Sequence, residues 1–157
     1  MKFKCLHLLF MLMLLHSGLK AQTLKTDSAQ VAKTLHELLL ICRSVNFADP
    51  QVTKLGTFYK AAPYIVYRGD DKKRAWKVMS DYTNAYEKNG VDDVCERINR
   101  TANQDSLGYK IIKYFTEKES EGTWHVLIVS YKKKGVEKTA AFAFLKIGNR
   151  FGLGDID

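Results

Sequence analysis

Two stretches hold the side chains that could do chemistry. The first is Phe144–Asp157, FLKIGNRFGLGDID, with Gly148, Gly152, Gly154 and the carboxylate of Asp155. A dinucleotide loop needs its glycines to lead into a helix N-terminus that receives the pyrophosphate. No helix pattern follows here, so the phosphate reading fails. Strand alternation fits better. It puts Phe151, Leu153, Asp155 and Asp157 on one face, with Gly152, Gly154 and Ile156 on the other. If Phe151 and Leu153 point into a cavity, Asp155 follows them to its mouth. A carboxylate beside apolar walls has its pKa raised by desolvation and can act as a general base. The simpler reading is a solvated acid near a fraying strand end.

The second stretch is Trp124-His125-Val126-Leu127-Ile128-Val129, apolar on both faces of a strand. Histidine suits proton transfer near neutral pH, although a hydrogen-bonded core or rim histidine is the commoner case. Asp155 and His125 are thus the two catalytic candidates. The weight of these readings lies against catalysis. Tyr86, Tyr109, Trp124, Phe142 and Phe151 are the aromatic candidates for a pocket lining, since aromatic rings serve both core rims and ligand sites.

Other chemistries find little purchase. No Gly-x-Ser-x-Gly elbow is present, and Ser130 alternates away from His125. His36 beside Glu37 lacks the paired spacing of a zinc site, so neither a metal nor a cofactor is expected. Lys132-Lys133-Lys134-Gly135 reads as a solvated hairpin tip, and Arg68-Gly69-Asp70-Asp71 as a turn rather than an adhesion motif.

The elements that must position these residues follow from periodicity. Thr26–Asn46 repeats apolar residues at helical spacing (Val31, Leu35, Leu38, Leu39, Cys42, Val45), with Thr26, Asp27 or Ser28 as N-cap. Leu40 and Ile41 widen the stripe and predict burial on more than one side. Asp49-Pro50 predicts a short helix to about Tyr59, stopped by Pro63. Tyr64–Tyr67 reads as a strand; Lys72–Ser80 reads equally as its hairpin partner or as a helical turn. A second long helix starts near Thr83, capped by Asp81 or Thr83, with Tyr86, Val91, Val94, Cys95, Ile98 and Ala102 on one face. Gly90 is a potential break. From Ser106 the period becomes two: Leu107–Glu117, Thr123–Lys133, Glu137–Ile147 and Arg150–Ile156 are four strands joined by links too short for anything but antiparallel pairing. The expected class is α+β, N-terminal helices packed on a curved four- to six-stranded antiparallel sheet.

The start, MKFKCLHLLFMLMLLHSGLKAQ, has the layout of a secretory signal peptide cut after Ala21, its apolar run too short to span a bilayer. The mature chain is expected to be a single domain, residues 22–157, without a transmembrane segment, and exported to the periplasm or medium. Losing Lys2, Lys4 and Lys20 takes the formal charge from +8 to +5. The bases are interspersed with acids, so nucleic acid is not an expected partner. Cys42 and Cys95 remain; each lies on an apolar helix face, and the sequence leaves open whether they bridge or pack as free thiols.

In element order (helix, short helix, small strand element, long helix, four long strands) the chain resembles the nuclear transport factor 2-like, or cystatin-like, superfamily. The resemblance implies a cone whose sheet and helices enclose a pocket. Some members, such as ketosteroid isomerases and polyketide cyclases, are enzymes; many others are binding or accessory modules. No catalytic position carries over, because no motif of those enzymes matches. The leading expectation is a non-catalytic exported domain that binds a small molecule or protein through its pocket or open sheet face. The alternatives are a small-molecule enzyme using Asp155 or His125, and a homodimeric accessory protein whose sheet face is covered by its twin.

Overall fold

Both long amphipathic stripes do become helices. The protein is described by a computed structural model covering residues 26–44, 55–69, 75–102 and 108–157. The signal peptide, Val45 and Pro50 therefore lie outside the described residues. Residues 26–30 are helical, and Val31–Asp157 form one compact unit.

Helix α1 covers 26–43, so Thr26, Asp27 and Ser28 lie within it rather than capping it. Val31, Leu35, Leu38, Leu39 and Cys42 are buried, as their spacing predicts. Leu40 is not: at 52% exposure it faces solvent, so α1 buries a single stripe. Helix α2 is Leu55–Ala61, followed by a 3₁₀ turn at Ala62–Tyr64 that accommodates Pro63 and gives way to extended backbone at Ile65.

The ambiguous stretch resolves as strand. β1 (Val66–Arg68) and β2 (Trp76–Val78) pair antiparallel, with Val66 opposite Val78 and Arg68 opposite Trp76. Helix α3, Ala85–Arg100, is unbroken at Gly90. Its N-cap is Asn84, where the sequence suggested Asp81 or Thr83. Asn84 Oδ1 accepts from the amides of Tyr86 at 2.9 Å and Glu87 at 3.4 Å. Asp81 instead closes the turn before the helix, accepting from the Thr83 amide at 2.9 Å and hydroxyl at 2.7 Å. These two bonds hold its carboxyl below the usual range. Tyr86 is also corrected: it stands 63% exposed, while its neighbour Glu87 is buried with Val91, Cys95 and Ile98.

The second half is a meander: β3 (Lys110–Glu119), β4 (Gly122–Lys133), β5 (Val136–Ile147) and β6 (Arg150–Ile156), neighbours in that order and antiparallel throughout. The β4–β5 turn puts Lys134 and Gly135 at φ 52° and 78°, and the β5–β6 turn puts Gly148 at 60°. These are the positive dihedrals that two-residue hairpins require. The class is α+β, with a four-stranded sheet and a separate two-stranded one.

The sheet has two distinct faces. On the inner face, cross-strand partners Leu127 and Phe142, Phe142 and Ile156, and Phe144 and Leu153 join the apolar stripes of α1 and α3 in one core. Fully burying a phenylalanine is worth about 1.5–3 kcal/mol, and Phe58, Phe142, Phe144 and Phe151 are all essentially sealed. Cys42 of α1 and Cys95 of α3 form a disulfide across 53 residues, with Cα atoms 4.7 Å apart, which settles the open thiol question. The β1–β2 hairpin starts beside β6, where Ile65 bridges Leu153, and on the outer face packs Val66, Trp76 and Val78 against Trp124, Ala143 and Leu145.

Candidate functional site

β5 alternates large and small residues. Phe142 and Phe144 point into the core, so Ala141 and Ala143 face outward and leave the outer surface low. Beside them Val126 and Trp124 of β4 continue an apolar floor. Phe115, Glu117 and Glu119 of β3 rise on one side, and Gly154, Asp155 and Asp157 on the other. Trp76, carried over the sheet by β2, closes one end with its ring edge-on to Trp124 at 5.0 Å between centroids. The result is a cleft of about 450 Å³.

Gly154 is what lets the two indoles lie there. A Cβ at that position would come 2.8 Å from Trp124 Cη2 and 3.3 Å from Trp76 Cζ3. Gly154 is also a bulge residue: Ala143 pairs with Asp155 and the next residue, Phe144, pairs with Leu153, leaving Gly154 as the extra residue of β6.

That one extra residue changes the fate of Asp155. Strict alternation would have kept it with Phe151 and Leu153. After the bulge it pairs with Ala143 on the outer face, and Ile156 takes its place in the core. Its side chain is 55% exposed, lies 3.5 Å from Arg97, and accepts from the Ile156 amide at 2.8 Å.

His125 is on the inner face, 3% exposed, with Tyr114 Oη 2.7 Å from Nδ1 and Phe151 edge-on at 4.8 Å. The two catalytic candidates therefore occupy opposite faces of the sheet and share no cavity. Among the aromatic candidates, Trp124 lines the cleft. Phe142 and Phe151 are core, and Tyr86 packs on Tyr67 at the surface. Tyr109 lies 3.2 Å from His36 Nδ1, its hydroxyl pKa pushed up by burial. Sequence reasoning missed Phe115 and the two alanines. The signal for the alanines was present in Ala140-Ala141-Phe142-Ala143-Phe144, where bulk alternates with its absence.

A second cleft of about 620 Å³ lies on the far side of Trp76, bordered by Arg68, Glu121, Lys146 and Ile147. There Ser120 Oγ donates to Glu121 at 2.8 Å and Arg68 pairs with it at 3.1 Å. Bonds from Ser120 and its own backbone, with the Arg68 guanidinium, bring the Glu121 carboxyl down to about 2. Its carboxylate is committed to the hairpin, which it fastens to the sheet.

Among the described residues no three histidine, cysteine or acidic side chains are grouped to hold a metal ion, and no helix is long and apolar enough to cross a membrane. No family model, curated protein or solved structure matches this chain.

Proposed function

We propose that this chain is a small exported binding module whose ligand lies in the outer-face cleft between β3 and β6, and that it binds without catalysis. One observation carries the reading. Ala141, Ala143 and Gly154 hold the floor low while Trp76, Trp124 and Phe115 wall it, giving a concave apolar site within the roughly 300–1,000 Å³ range of ligand pockets. Catalysis has no comparable support, since His125 and Asp155 do not meet.

Export is supported by the leader-like start and by the Cys42–Cys95 bridge, since disulfides persist chiefly in oxidising compartments. The cone of the nuclear transport factor 2-like superfamily is supported by element order, which runs helix, short helix, strand pair, long helix, four-stranded meander.

Native mass spectrometry of protein purified from its own extracytoplasmic fraction tests the reading. Wild type is expected to start at Gln22 and carry a non-covalent mass that the cavity-filling variant Ala143→Phe lacks. A variant that folds and retains the same mass overturns the assignment of the cleft.

A further inference from the structure

We infer that the cleft selects an organic cation: a protonated amine on an apolar body, the body against Trp124 and Trp76 and the charge beside Glu117. The inference rests on the outer-face cleft being the binding site, and adds the charge of what binds there.

The chain as a whole is basic, with 25 lysines and arginines against 17 acids. The cleft reverses that balance. Every ionisable side chain lining it is a carboxylate: Glu117 and Glu119 from β3, Asp155 and Asp157 from β6. An anion entering the cleft meets like charge from Glu117 and Glu119 on the β3 side, and a neutral molecule gains only the floor. A cation gains both floor and rim.

The geometry also says which rim. β3 and β6 are three strand spacings apart, about 14 Å, too wide for one ammonium to touch both. On β6, Asp155 is already engaged by Arg97 at 3.5 Å. On β3, Glu117 and Glu119 take part in no ion pair among the described residues. Glu117 is the direct cross-strand partner of Trp124, which sets its Cβ about 5 Å from that of the indole residue. A cation held by Glu117 thus lies next to the indole residue, close enough to draw on the attraction between a cation and an aromatic ring. The same preference is already visible in the chain's own cations: Lys113 Nζ sits 5.0 Å from the Phe115 ring centre and the Arg68 guanidinium 5.4 Å from that of Trp76.

The chain has two tryptophans, Trp76 and Trp124, and both line this cleft, so intrinsic fluorescence reports on it directly. Purified full chain is titrated with phenethylamine, with the uncharged 2-phenylethanol, and with the anionic 3-phenylpropionate. Phenethylamine is expected to bind at least fivefold more tightly than the alcohol, with affinity that falls as sodium chloride rises, and the propionate most weakly. The double variant Glu117→Gln, Glu119→Gln should bring the amine to the level of the alcohol and remove the salt dependence of its binding. Should that variant misfold, the salt dependence in wild type decides. An amine advantage below fivefold, or tightest binding of the propionate, overturns the cation inference and leaves the cleft standing. If none of the three probes moves the fluorescence, the cleft itself is lost as a binding site.

Discussion

The Tyr67 hydroxyl donates to Glu87 Oε1 at 2.6 Å, tying the β1–β2 hairpin to the first turn of α3. The other carboxylate oxygen accepts from the amides of Ser80 at 2.5 Å and Asp81 at 2.8 Å. Glu87 is only 5% exposed, yet both oxygens are fully engaged by donors. It organises the segment that carries Trp76 to the cleft.

Replacing Glu87 with Gln removes the negative charge from three hydrogen bonds at a buried site, and is expected to cost about 1–3 kcal/mol in urea unfolding. Burial pushes the Glu87 carboxyl up, but the Asp81 amide, the Tyr67 hydroxyl and the Ser80 amide outweigh it, so the net shift is downward. A depressed pKa contributes stability that is present above the unfolded value of 4.5 and lost as pH falls through the folded one. The difference between wild type and Glu87→Gln should therefore be full at neutral pH and shrink below pH 4.5. A difference that stays constant into acid would mean the carboxylate's charge is not what the three donors hold.

The bridge between Cys42 and Cys95 closes a loop of 53 residues. By loop entropy its removal should cost about 4 kcal/mol. Urea unfolding with and without dithiothreitol measures this directly, and the Cys42→Ala, Cys95→Ala double variant should match the reduced protein.

Gly154→Ala puts a methyl group 2.8 Å from Trp124 Cη2. Trp76 Cζ3 lies 3.3 Å from the same point and its ring is edge-on to Trp124, so the methyl group crowds both indoles and the variant is expected to lose about 1–3 kcal/mol. Tryptophan emission should shift with it. A silent spectrum would show that the indoles are not packed across this glycine.

Asp92 lies on α3 with Oδ1 buried and without a hydrogen-bond partner. Desolvation raises its pKa, against the pull of Lys88. A raised acid favours the protonated folded state, so it costs stability above its folded pKa and ceases to cost it as pH falls toward the unfolded value. Asp92→Asn is expected to raise Tm at neutral pH, with the gain disappearing in acid; a lower Tm at neutral pH would contradict this.

Much of the architecture could be read from residue spacing, and the failures have local causes. The stripes of α1 and α3 and the four strands were legible because an apolar face imposes its period on the chain. Asp155 was placed on the wrong face because period-two counting cannot see a bulge, and one extra residue inverts everything after it. Tyr86 and Glu87 were exchanged for a different reason. A carboxylate enters the core when neighbouring amides need an acceptor, and those amides belong to Ser80 and Asp81 in the segment before the helix. The cleft was hidden because its wall, Trp76, arrives from a hairpin remote in sequence from the floor.

β3 ends the sheet, and its own construction limits what can join it there. Ile112 is an extra residue that breaks the register between Ile111 and Lys113. Solvent-facing Lys110, Lys113 and Lys118 are spread along the same strand. A bulge and scattered positive charge blunt a free edge. A twin aligning its own β3 against this one would meet a kinked backbone and a row of solvated charged side chains, which makes this border a poor template for an added strand.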